Sequence, residues 1–145
     1  MRMMTLPVAP VRISACALAA AALAVARLWI AVAPGSAVRW ASSFNSAAGA
    51  GSRAGDGPIV DTWCRVVASV GARVFRATCL EQSLALVMLL SFARIPSHLV
   101  VGVSRRDSFG AHAWVESRGT VIFGGSQRDG FVPILPAPPA STCPE

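Results

Sequence analysis

The chain contains no tyrosine and no lysine, and only two histidines and seven acidic residues among 145. Its four cysteines, Cys16, Cys64, Cys79 and Cys143, include no CxxC pair and no metal-ligand rhythm. That spacing argues against a zinc ribbon and against a dense disulfide framework, and makes reduced thiols the simpler assumption. All thirteen basic residues are arginine, scattered along the chain, so no nucleic-acid stripe emerges. Glycines at 35, 49, 51, 55 and 57 are too widely spaced for a phosphate-cradling loop, and no Lys with Ser or Thr follows them. These spacings point to neither a metal site nor a nucleotide-cofactor site.

What the chain does have is apolar bulk. Its hydrophobic fraction is 54%, with alanine dominating the first third, which points to helices there and argues against disorder. The length suits one compact domain and hence one active site. A net charge of +6 favours an acidic peptide, a nucleic acid or an anionic membrane surface as partner. Residues 1–33 form an apolar N-terminal helical segment: Arg2 and Arg12 precede a run from Ile13 to Val32 broken only by Ser14 and Arg27. A charge at Arg27 would cost about 2.5 to 3.5 kcal/mol at a bilayer centre. The segment therefore reads as a packed or membrane-surface helix in preference to a signal or a transmembrane span.

Residues 34–58 are rich in Gly, Ser and Ala without periodicity and read as a linker. From Ile59 to Phe75, Val60, Trp63, Val66, Val67, Val70 and Val74 recur at spacings of three and four, as on one face of a helix. Thr78 to Arg94 predicts a second, more deeply buried helix, introduced by a capping box of Thr78 and Glu81 that puts Cys79 at the first helical position. Pro96 ends it. The stretches HLVVGVS, AHAWVES and TVIF then predict three strands of an antiparallel meander. The Pro-rich tail, residues 135–145, carries no period.

A thiol attacks as thiolate, and a helix N-terminus offers partial positive charge and unpaired N–H groups that stabilise both this anion and a developing oxyanion. Cys79 is so placed. His112 lies at a predicted strand edge after a Gly-containing loop, where an imidazole could take the thiol proton. The same two residues also fit a small core thiol and a hydrogen-bonded structural histidine, and the residue pattern alone leaves both readings open. Cys16 and Cys64 read as packing residues, His98 as a surface or strand-end residue, and Trp63 and Trp114 as core anchors.

The stretch from Ile59 to Ile134 resembles the B proteins of lasso-peptide maturation, leader peptidases of the transglutaminase-like cysteine protease superfamily. Two motifs carry the resemblance: Thr78-Cys79-Leu80-Glu81-Gln82-Ser83-Leu84-Ala85-Leu86, similar to the nucleophile helix, and Gly110-Ala111-His112-Ala113-Trp114-Val115-Glu116, similar to the histidine strand. Leu99 to Val103 resembles the strand between them. The resemblance implies an α+β fold with a transglutaminase/papain-like core over 59–134, the nucleophile helix packed on a small antiparallel sheet. It also implies a third catalytic acid roughly a dozen positions after His112, where this chain reads Gly124-Gly125. Asp129 is the first substitute; Glu116 and Asp107 are weaker ones.

The activity so implied is removal of a leader from a ribosomally made precursor through a thioester on Cys79, with His112 as general base and acid. Implied partners are the precursor peptide, a separate leader-binding protein and an ATP-dependent macrolactam synthetase. The expected location is the cytoplasm, with membrane-surface contact through residues 13–32. Two rivals remain: an acyltransferase using the same thioester, and a non-enzymatic membrane-anchored interaction protein.

Overall fold

A computed structural model describes residues 9–43, 56–104, 110–127 and 129–134. Helix α1 (Ala9–Val32) is followed by α2 (Pro34–Ser43), α3 (Asp56–Val70) and α4 (Cys79–Phe92). Strands β1 (His98–Ser104), β2 (Gly110–Ser117), β3 (Thr120–Phe123) and β4 (Val132–Pro133) form one antiparallel sheet in the order β3-β2-β1-β4. The chain is therefore α+β, with the helical layer on one side of the sheet.

The core is built from small residues that let helices approach closely. On α1, Ala19, Ala22, Leu23 and Ala26 are buried, the spacing of one helix face, and they pack with Val67 and Val70 of α3 and with Leu84, Leu86, Val87 and Leu90 of α4. The opposite side of α1 leaves Leu18, Val25, Leu28 and Val32 exposed. One helix in the described residues is long and apolar enough to cross a membrane, Ser14–Val32. Within this helix Arg27 has a partner: its Nε donates to Glu81 Oε1 at 2.9 Å, joining α1 to the first turn of α4.

The linker expected over 34–58 is corrected at both ends, where Pro34–Ser43 is helical and α3 already begins at Asp56. Proline suits the first helical position because it has no N–H to leave unpaired. The corner from α1 is closed by Ser36, whose Oγ donates to Ala33 O and accepts from Trp29 Nε1, both at 2.9 Å. Ala37 and Ala41, four apart, are completely buried, so residues that look like loop composition serve as close-packing helix positions. Residues 44–55 of that stretch lie outside the described residues.

The helix expected over 59–75 continues into a π-helical turn at Gly71–Phe75, and Arg76 takes a left-handed conformation. This wider turn brings Gly71 against α4: a Cβ there would lie 2.9 Å from Gln82 Cγ. Gln82 Nε2 in turn donates to Ala77 O at 2.8 Å, fixing the approach to Cys79. The three predicted strands form, the second beginning one residue early at Gly110, and a fourth, Val132–Pro133, adds to the outer edge of β1. An edge is where a strand tolerates proline. The tail 135–145 lies outside the described residues.

Candidate active site

Alternation along β2 divides its side chains between two environments. Ala113 and Val115 belong to the helix-packed core, whereas His112, Trp114 and Glu116 occupy the other face. β2 also runs past the end of β3: residues before Val115 pair with β1 alone. At this uncovered edge α4 docks, with the buried Ser83 Oγ donating to Ala113 O at 3.2 Å. Cys79 is one turn before Ser83, about 6 Å along the helix axis, and His112 precedes Ala113.

The start of α4 is built as the sequence predicts. Thr78 Oγ1 accepts from the Glu81 N–H at 3.3 Å, while Glu81 Oε2 accepts from the Thr78 N–H at 2.7 Å. The N–H groups of Cys79 and Leu80 have no intrahelical acceptor and point out of the helix start. Cys79 itself is half-buried, packed against the rim of the core. A carboxylate two residues from a thiolate would oppose it, but the Glu81 charge is shared with the Arg27 guanidinium.

His112 is buried, with its ring stacked on Trp114 (centroids 6.1 Å apart, planes at 25°) and tilted against Phe131 at 5.5 Å. Its Nε2 is 2.8 Å from Gly124 O. Among the described residues, Cys79 and His112 are not hydrogen-bonded to each other; such contacts often close only when substrate is bound.

The structure does not bring Asp129 to His112. Asp129 is exposed in the turn before β4, and the ring nitrogen is held by the Gly124 carbonyl. Glu116 is also engaged elsewhere, accepting from Trp114 Nε1 at 2.8 Å through Oε1, with Oε2 3.5 Å from His98 Nε2. Asp107 lies outside the described residues. His98 opens β1, as expected of a strand-end residue, but it is buried, and the β1–β2 register sets it opposite Glu116. Cys16 is exposed, so its packing role is corrected; Cys64 donates to Ile122 O at 3.4 Å. Burial, and then the nearby Asp61 carboxylate, push the Cys64 thiol up to about 11.

Two participants escaped the sequence reading. Arg27 was visible as an anomaly in an apolar run, but its partner lies 54 residues away. The Gly124 carbonyl had only the Gly-Gly pair as a signal.

The profile of the transglutaminase-like superfamily matches residues 15–136, and the chain belongs to this superfamily. It is typically a family of cysteine-dependent enzymes and includes both cysteine peptidases and acyltransferases. The match includes α1 from Ala15 onward. Comparison with curated proteins and with solved structures finds no match.

Proposed function

We propose that this protein is a cysteine peptidase that removes the leader from a ribosomally made precursor in lasso-peptide biosynthesis. The observation carrying the peptidase reading is the capped start of α4, which presents Cys79 beside unpaired N–H groups, while Ser83 one turn on docks on the carbonyl of Ala113, the residue after His112. The substrate class rests on the resemblance of the two motifs around Cys79 and His112.

In the proposed cycle His112 takes the proton of the Cys79 thiol and the thiolate attacks the scissile carbonyl. The resulting oxyanion lies within the field of the α4 N-terminus, where the Cys79 and Leu80 N–H groups can donate to it. Collapse breaks the C–N bond, with His112 returning its proton to the leaving amine, and leaves a thioester on Cys79. The imidazole then takes a proton from water as the water attacks, releasing the carboxylate product and restoring the thiol. An amine in place of that water gives acyl transfer by the same thioester.

A separate leader-binding protein and an ATP-dependent macrolactam synthetase are the proposed partners, with the precursor as substrate. Cytoplasmic location is proposed from the resemblance, and membrane-surface contact from the exposed apolar side chains of α1, Leu18, Val25, Leu28 and Val32. Flotation with anionic vesicles tests this contact, and a protein that stays entirely with the soluble fraction refutes it.

The enzymatic test is mass spectrometry of a candidate precursor incubated with the protein and its leader-binding partner. The wild type should yield free leader and core, and Cys79→Ala and His112→Ala should yield neither. Cleavage that persists without Cys79 refutes the reading. A product bearing an added amine identifies acyl transfer.

A further inference from the structure

We propose that the backbone carbonyl of Gly124 is the orienting partner of His112, taking the place for which the resemblance implies an acid. The proposal rests on the Cys79–His112 chemistry above and assigns the imidazole its tautomer. A carbonyl oxygen only accepts, so the 2.8 Å contact requires the hydrogen on Nε2. The neutral ring then carries its lone pair on Nδ1, which forms no hydrogen bond among the described residues. Nδ1 is therefore the base, and Gly124 O is the group that keeps it one.

Three features make this contact a built one. His112 is 7% exposed and held between Trp114 and Phe131, so the ring cannot turn freely to exchange its two nitrogens. Trp114 is itself anchored, its indole N–H given to Glu116 Oε1. Gly124 adopts φ +75, and a Cβ on it would lie 3.1 Å from Ala113 O and 3.2 Å from Trp114 Cβ. Backbone conformation and space thus both favour glycine, and the same tight approach is what delivers the carbonyl. A position that favours glycine supplies a backbone acceptor in place of a carboxylate.

A carbonyl offers a dipole in place of a full negative charge, so it fixes the ring while stabilising an imidazolium less than a carboxylate would. Gly124 is accordingly a positioning residue: it acts on the peptide bond only through His112.

The test is long-range 1H–15N correlation of the imidazoles in the 15N-labelled full-length protein at pH 8. The chain has two histidines, so the His112→Gln spectrum assigns the signals by subtraction. The wild type should show His112 as the Nε2–H tautomer. A folded Gly124→Ala should show a mixture of tautomers and a loss of about 10- to 100-fold in the rate of Cys79 alkylation at neutral pH, taking as a guide the cost of removing the partner that orients a metal-bound histidine. An Nδ1–H tautomer in the wild type overturns the proposal, as does an unchanged tautomer and alkylation rate in Gly124→Ala. The wild-type spectrum decides the matter even where the variant does not fold. A wild type with the Nε2–H tautomer that cuts no precursor supports this assignment while counting against the leader-peptidase reading.

Discussion

Arg27 Nε donates to Glu81 Oε1 at 2.9 Å, across 54 residues of sequence, so that the N-terminal helix reaches into the cap of the helix that begins with Cys79. The same carboxylate holds the Thr78 N–H with its other oxygen. One side chain thus both closes the start of α4 and fixes α1 upon it. Arg27 is half exposed, so the pair contributes at most about 1 kcal/mol. Arg27→Ala should lower stability by about that amount in urea unfolding. It should also slow alkylation of Cys79, because the Glu81 charge is then unshared beside a forming thiolate. Arg27→Lys should recover part of both effects. An alkylation rate unchanged in Arg27→Ala would show that this charge does not reach the thiol.

The cap can be separated from the charge. Thr78→Ala removes the acceptor for the Glu81 N–H and should cost about 1 kcal/mol, within the 0.5–2 kcal/mol range for such caps, whereas Thr78→Ser should cost little. Thermal melting of the two variants reads the difference directly. Equal melting temperatures would mean that the first turn is held by tertiary packing alone.

The helix start was legible in the sequence because capping is local: Thr78, Cys79 and Glu81 are neighbours, and their roles follow from spacing. The strands were legible for the same reason, from runs of β-branched residues between turns. What stayed hidden depends on distant partners or on backbone atoms. Pro34–Ser43 looked like linker because Gly, Ser and Ala carry little apolar signal, yet Ala37 and Ala41 are buried for their smallness. His98 looked superficial because Glu116 meets it only through the β1–β2 register. The Gly124 carbonyl left only the Gly-Gly pair as a trace, since every residue carries a carbonyl and only the fold aims this one at His112.

Cys64 gives a contrast with Cys79 that is testable within one sample. Its thiol is pushed up to about 11 by burial and by Asp61, and it donates to Ile122 O. At pH 8 it should resist iodoacetamide while Cys79 reacts, with peptide mapping to locate the adduct. The raised value also makes stability depend on pH. The folded state holds this proton more tightly than the unfolded chain, so the contribution is complete below the ordinary thiol value near 9.0 and is lost as pH rises through about 11. Denaturation midpoints between pH 8.5 and 11 should therefore fall, and Cys64→Ala should flatten that decline. A slope identical in Cys64→Ala would assign it to other groups.

Gly102 pairs with His112 across β1 and β2. A Cβ there would lie 2.8 Å from the Trp114 ring and 3.1 Å from Phe131 Cβ, the two side chains that hold the imidazole. Cβ is rigidly attached, and Trp114 is completely buried, so the ring has little room to retreat. Gly102→Ala should cost about 1–3 kcal/mol, as overpacking does. Its second effect is the more informative one: displacing Trp114 or Phe131 loosens the clamp on His112. Activity should therefore fall by more than the unfolded fraction explains, which assays at a temperature well below the melting point of the variant would reveal. Full activity in the folded variant would mean that Gly124 alone suffices to hold the ring.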